Sequence, residues 1–184
     1  ITVARAPSAN ADLTALSISS GSLNFTAETT LYEVSVDYST TELKVTPTVA
    51  DAGAKVKVNG IPVASGSASE NIDLAVGPNT ITVTVTAQDG TVKEYTITVT
   101  RAQSGNADLS SLKVGSQSIH LSEAPAYSVN VENEVDIVRK RVAEGDSTAT
   151  IKVNGIPVAS GSASENVDLA VGPNTITVTV TAQD

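Results

Sequence analysis

Residues 59–89 recur as residues 154–184 with one change, Val167 standing where the first copy has Ile72. A repeat this close to verbatim constrains the chain more than any local pattern does, because each copy is built to adopt the same supersecondary unit. The match extends upstream. Asn10, Ala11, Asp12 and Leu13 return as Asn106, Ala107, Asp108 and Leu109, and Tyr32 returns as Tyr127, with one residue lost between the two matches. The opening Ile1, Thr2, Val3, Ala4, Arg5, Ala6 matches Ile97, Thr98, Val99, Thr100, Arg101, Ala102. The organisation read from this is a terminal strand of a preceding repeat at 1–5, a complete repeat at 10–101, a linker at 102–105, and a truncated second repeat at 106–184. Ile1 falls inside a strand pattern and no signal peptide precedes it, so the expectation is a piece of a longer exported protein.

Period-two alternation marks the strands, since successive side chains of a strand point to opposite faces. Ile81, Val83 and Val85 alternate with threonines, and Tyr95, Ile97 and Val99 do the same before Arg101. Shorter strands are predicted at 13–18, 31–36, 43–49, 55–58, 61–63 and 72–74. The pairs Asn59-Gly60 and Asp89-Gly90 are dipeptides favoured in two-residue hairpins because both residues tolerate positive φ. No stretch holds a helical period over three turns. About seven short strands with turns every 8–12 residues is the signature of a β-sandwich, with a barrel as the alternative.

Hydrophobic residues make up 40% of the 184, yet there are only four Tyr, one Phe and no Trp or Met, so the apolar material is Val, Ile, Leu and Ala. The net charge of −9 opposes a phosphate backbone, which excludes nucleic acid as a partner. No apolar run approaches the roughly 20 residues that span a bilayer, so no membrane insertion is expected. With no cysteine, disulfides and thiolate metal sites are excluded, and stability must come from burial and backbone pairing.

The segments NADLTALSISSGSL (10–23), LYEVSV (31–36), TPTVADAGAKVKVNG (46–60) and NTITVTVTAQDGTVKEYTITVTR (79–101) resemble the cadherin-like β-sandwich domain found in tandem in large bacterial surface and secreted proteins. The resemblance covers nearly all of both repeats. It implies an all-β architecture of tandem immunoglobulin-like antiparallel β-sandwiches, and the repeat alignment leaves the second lacking its last strand. It also implies an extracellular or cell-surface location and a spacer or adhesive role with no shared active site. The calcium ligand motifs of animal cadherins have no match here. Repeat 2 departs from the pattern where Val138, Arg139, Lys140, Arg141 and Val142 replace Leu43, Lys44, Val45, Thr46 and Pro47. Lys140 would then take the inward place of Val45, and a bulge or register shift is expected.

Chemistry-bearing residues are few. His120 is the sole histidine, with no sequence-identifiable nucleophile or orienting acid beside it, so it reads as a surface residue. The serine-rich 64–70 and 159–165 read as loops rather than contact surfaces. Asp12, Asp51, Asp89, Asp108, Asp146 and Asp184 lie near turns or repeat junctions and raise calcium, but the dense oxygen spacing of a built loop is lacking. No cofactor or metal is therefore assigned, and a paired-carboxylate glycosidase is set aside for want of a cleft. The basic triplet Arg139, Lys140 and Arg141 reads as charge protecting an edge strand. A Lys–Asn isopeptide crosslink is conceivable in a cysteine-free chain, and nothing in the sequence brings the required residues together.

The function read from this is a structural spacer or adhesive repeat of a larger bacterial protein, and not an enzyme. The alternative is a module binding carbohydrate or a surface protein, which the scarcity of aromatic rings disfavours. One further expectation concerns self-association. Repeat 1 continues through 90–101 and so supplies a strand to pair with 80–86. Repeat 2 stops, leaving Thr175, Ile176, Thr177, Val178, Thr179, Val180 and Thr181 with an open edge. The surplus Ile1, Thr2, Val3, Ala4 and Arg5 of a neighbouring chain would fill it, with Ile1 and Val3 inward, giving an open head-to-tail array.

Overall fold

The computed structural model describes residues 1–121, 126–132, 137–138 and 140–184, with the backbone alone for 137–138 and 140–144. The chain divides into two compact units, Ile1–Gln103 and Ser104–Asp184, here module 1 and module 2. No helix occurs among the described residues.

Module 1 contains β1 (Leu13–Ile18), β2 (Leu31–Val36), β3 (Glu42–Leu43), β4 (Val45–Val49), β5 (Lys55–Val58), β6 (Ile61–Val63), β7 (Ile72–Asp73), β8 (Gly77–Thr86) and β9 (Val92–Arg101). The main sheet runs β2-β9-β8-β5-β6, and the pairs β1-β4 and β3-β7 complete the set. Its centre is the hairpin of β8 and β9, in which Ile81 opposes Ile97 and Val83 opposes Tyr95. Alternation places these side chains on one face, where Tyr95, Ile97 and Val99 are each 0% exposed. Burying a side chain of this size contributes about 1.5–3 kcal/mol, so β9 alone carries a large part of the module's stability. The Tyr95 hydroxyl accepts the Leu13 N–H at 3.0 Å and ties β9 to the start of β1.

Three local features depart from the sequence expectation. The pairing of β2 with β9 is parallel, Leu31 beside Thr96 through Val36 beside Arg101, while every other pair in the module is antiparallel. The strand expected at 43–49 breaks at Lys44, because β3 pairs with β7 and β4 with β1. At Lys44, where the partner changes, the carbonyl accepts the Ser19 N–H and the N–H donates to the Ser19 hydroxyl. Asp89-Gly90 is not a two-residue hairpin. Ala87 donates to the Thr91 carbonyl and only Gly90 has positive φ, which is the three-residue loop of a type I turn closed by a left-handed glycine. By contrast, Asn59-Gly60 and Asn154-Gly155 are two-residue turns with both residues at positive φ. Each Asn also accepts a backbone N–H across the sheet, from Thr82 and Thr177 respectively.

Module 2 contains β10 (Leu109–Val114), β11 (Gln117–Ile119), β12 (Ile137–Val138), β13 (Lys140–Glu144), β14 (Thr150–Val153), β15 (Ile156–Val158), β16 (Val167–Asp168) and β17 (Val178–Thr181). The sheets are β11-β10-β13, β12-β16 and β15-β14-β17. The expected register shift near Lys140 does not occur. Val114 opposes Lys140 as Ile18 opposes Val45, and both pairs carry the same irregularity at their far end, between Leu13 and Ala15 and between Leu109 and Ser111. Backbone pairing with β10 holds the register despite the change of side chains. Arg139 lies outside the described residues.

The two modules differ most where their sequences are identical. Residues 77–86 form one ten-residue strand in module 1, whereas the same sequence at 172–181 is strand only over Val178–Thr181. The ladder with β14 reaches only Val178–Thr181. Ile81, Val83 and Val85 are buried, but Ile176, Val178 and Val180 are only half-buried. Among the described residues, the buried apolar cluster of module 2 comprises Leu112, Ile151 and Val153.

A side chain at Gly60 would meet no atom within 4 Å, so its cost is conformational, about 1–2 kcal/mol for a left-handed L-residue. Gly60→Val should lower the urea midpoint of module 1 accordingly, and Gly60→Asn, which tolerates that region, should lower it less. Equal effects, or none, would show that φ is not the constraint at this turn.

Candidate functional site

The sequence pointed to two segments as a strand-exchange site. Ile1, Thr2, Val3, Ala4 and Arg5 lie in no strand, and Ile1 and Val3 are 122% and 87% exposed. At the other segment, Thr175, Ile176 and Thr177 lie outside any strand, while Val178, Thr179, Val180 and Thr181 form β17, an edge strand bonded to β14. On the face that β2 covers in module 1, residues 126–132 carry no strand, and Val131 and Tyr127 are 40% and 37% exposed. The Asn130 carbonyl in this segment accepts from the Gln117 side chain.

A second recurrent feature, not singled out from sequence, is the anchoring of each module's entry segment. The Ser8 carbonyl accepts the Asp89 N–H and the Ser8 N–H donates to the Gln88 side chain. The Ser104 carbonyl accepts from Gln183 and Asp184. Ser104 is buried, and its hydroxyl donates to Asp146 at 2.6 Å. Hydrogen bonds from Ser8 and from the Gly53 N–H hold the Asp51 carboxyl below its ordinary value of 3.8. The Thr91 N–H does the same for Asp89. The signal was available as the equivalence of Ser8 and Ser104 ahead of each repeat, but serines in turns are too common to notice singly.

The carboxylates raised for calcium are engaged separately. Asp12 pairs with Lys93 at 2.7 Å, which raises the Lys93 pKa. Asp146 accepts from Thr148 as well as from Ser104. Among the described residues no three His, Cys, Asp or Glu side chains are grouped to hold a metal. The serine loops prove structural: Ser65 and Ser69 hydroxyls accept the N–H groups of Val49 and Val45, continuing the pairing of β4. Ser69 and its counterpart Ser164 also donate to the following carbonyl. His120 is exposed. Module 1 uses its rings internally: Phe25 stacks on Tyr32 at 6.2 Å, Tyr95 is buried, and Tyr38 lies under Arg101 at 4.7 Å. Burial raises the Tyr32 pKa. A shallow depression beside β5 and β6, lined by Val49, Lys55, Lys57, Pro62, Val63 and Ser65, contains no ring.

A mixed five-stranded sheet with β2 parallel to β9 at its edge, together with the antiparallel pairs β1-β4 and β3-β7, makes module 1 an immunoglobulin-like β-sandwich, of which module 2 repeats a part. The family model for the cadherin-like beta sandwich domain matches residues 13–102 and 109–184, and the chain belongs to that family. Over 94 residues it is 39% identical to a protein named "Putative membrane protein" in Evansella cellulosilytica, covering 50% of this chain and 14% of that protein. Two solved structures superpose over 92% of this chain. One is a Bacteroides ovatus mixed-linkage glucan utilization locus SGBP-B in complex with a mixed-linkage heptasaccharide (12% identity, 65% of that chain, TM-score 0.27). The other is the Clostridium thermocellum CbhA fibronectin(III)-like modules (13% identity, 87% of that chain, TM-score 0.24). At these values neither superposition bears on a ligand. No helix of the described residues is long and apolar enough to cross a membrane.

Because Asp51 and Asp89 have depressed pKa values in the fold, their contribution is present above the ordinary carboxylate range and is lost as pH falls through the folded values. The raised Lys93 contributes below its ordinary value and loses that contribution as pH rises through the folded one. Urea midpoints of module 1 should therefore fall below about pH 4, and Asp51→Asn should flatten this acid limb. An unchanged limb in the variant would remove Asp51 from the account.

EDTA should leave the melting temperature unchanged. A rise in melting temperature at micromolar calcium would show that carboxylates outside the described groupings converge on a metal.

Proposed function

We propose that the chain is a load-bearing spacer, two repeats of a larger bacterial cell-surface or secreted protein, without catalytic activity of its own. The observation that carries this reading is the parallel pair of β2 and β9, six residues long on each strand. The chain enters module 1 before β1 and leaves it after β9. Tension on the two ends peels β1 from β4 and then loads β2 and β9 at opposite ends of a parallel ladder. All bonds of a ladder loaded that way resist together, in shear, whereas an antiparallel hairpin pulled at its open end gives way one bond at a time. The repeated anchoring of Ser8 and Ser104 supports the same reading, since each entry segment is fastened to the module it introduces. The family membership and the small share of the membrane-protein relative that the chain spans fit a part of a long extracellular polypeptide.

Pulling single molecules by their ends should give a higher unfolding force for module 1 than for module 2, since forced unfolding reads the unfolding barrier. A Ser35→Cys and Thr100→Cys clamp, at positions that pair across β2 and β9, should when oxidised withhold the intervening chain from extension. Module 1 yielding at no greater force than module 2 would overturn the load-bearing role. Retention of the intact chain on one defined polysaccharide would favour a binding module instead.

A further inference from the structure

The chain's two Asn-Gly pairs, Asn59-Gly60 and Asn154-Gly155, carry a chemistry that their turns withhold. Their surroundings in sequence are the same, since residues 57–71 read identically at 152–166. In a chain free to rotate, the glycine backbone nitrogen attacks the asparagine Cγ. The new N–Cγ bond closes a five-membered succinimide, the nitrogen gives up its proton, and Nδ2 leaves with a proton as ammonia. Water then opens the ring, at one carbonyl to aspartate and at the other to isoaspartate. The balance is one water taken up and one ammonia released, with no change of oxidation state. Glycine offers no side chain to hinder the approach, and all four residues are exposed to water.

The folded turns block the first step in two ways. Asn59 and Asn154 have φ of 47° and 49°, the first central position of the turn that mirrors type I, where ψ is positive as well. At such a ψ the Cβ lies nearly opposite the glycine nitrogen across the Cα–C bond, so Cγ cannot reach it. The side chain is also tethered. Oδ1 accepts the N–H of Thr82 in one copy and of Thr177 in the other, each at 2.9 Å. The asparagine N–H donates to the carbonyl of the same threonine at 2.8 Å. β5 lies between β8 and β6, and β14 between β17 and β15. The tether therefore draws the side chain to one side of the hairpin while the glycine leads to the other.

We propose that Asn59 and Asn154 are self-modification sites gated by opening of their hairpins: ring closure is arrested in the folded turn, proceeds once the turn opens, and leaves isoaspartate that bars the hairpin from reforming. Isoaspartate inserts a methylene into the main chain between strands whose pairing, Val58 with Ile61 and Val153 with Ile156, depends on a loop of two ordinary residues. Aspartate leaves the main chain unchanged and suits the same turn. An excursion out of the fold thus becomes permanent wherever the ring opens to isoaspartate. The inference does not rest on the spacer reading.

The test ages the whole chain at mildly alkaline pH, in buffer and in urea that unfolds it, beside a capped peptide of residues 57–62 in both solvents. Peptide masses and isoaspartyl methylation read the product at each turn. In the folded chain both turns should be modified roughly tenfold or more slowly than the peptide, because opening of a bonded turn is a minority state. In urea both should match the peptide. When the urea is removed, chains bearing isoaspartate should fail to regain their full sheet signal in circular dichroism. An Asn59→Gly, Asn154→Gly chain can close no ring, and Gly-Gly suits the same turn. Shown by circular dichroism to be folded beforehand, it should refold fully after the same ageing. Modification of the folded chain at the rate of the peptide would overturn the arrest. Full refolding of chains that carry isoaspartate at both turns would overturn the bar to refolding, as would an equal loss in the glycine variant.

Discussion

Strand β9 is bonded along both of its edges, and its three inward side chains are the most deeply buried stretch of module 1. Every other part of the main sheet leans on it. β2 has no other partner, β8 owes its upper half to it, and β1 is fastened to it through the Tyr95 hydroxyl. A buried N–H left without its acceptor costs about 1–3 kcal/mol, so the Tyr95 bond is part of the packing and not an ornament on it. Module 2 shows the same chain without this strand. The counterpart of β2 is not a strand, β8 is shortened to β17, and the alternating Ile and Val are half-buried where their module 1 counterparts are buried.

Much of this architecture was legible in the sequence because two signals agreed. Period-two runs located the strands, and Asn-Gly at both copies of the β5-β6 turn fixed their hairpins with φ values only such pairs accept. What stayed hidden was non-local. Nothing in Leu31–Val36 or Val92–Arg101 declares that they run parallel, since alternation is the same for either direction. The break at Lys44 depends on which strand each half pairs with, and Asp89-Gly90 depends on whether Ala87 and Thr91 close the ladder. The register at Lys140 was misread because side-chain character was given more weight than the β10 backbone, which imposes the same pairing on Lys140 as on Val45.

The polar residues teach a similar lesson. Asp51, Asp89 and Asp146 suggested a divalent site by type and position, yet each carboxylate accepts backbone N–H groups two residues on. Such local bonds fix turns, and at Asp51 and Asp89 they lower the carboxyl pKa. Ser65 and Ser69 act on β4, and Ser8 and Ser104 fasten the entering chain. In a module with few rings and no disulfide, short polar side chains complete the backbone bonding that strand pairing leaves over.

The contrast between 77–86 and 172–181 separates local preference from tertiary context. Ten identical residues are one strand in the first setting and four strand residues in the second, so threonine–valine alternation does not by itself hold a strand. The β2–β9 contact spans most of the module in sequence, and such pairings form slowly because the intervening loop must be ordered first. During synthesis, a repeat whose last strand has not yet emerged passes through an arrangement like that of module 2, with half-buried Ile and Val along an open edge. Open edges of this kind pair with whatever strand is near. In a tandem array the nearest matching strand belongs to the preceding repeat, whose β9 is consumed by its own module. Order of emergence and occupation of each edge by its own strand together keep the repeats separate, and a strand freed from its module undoes that separation.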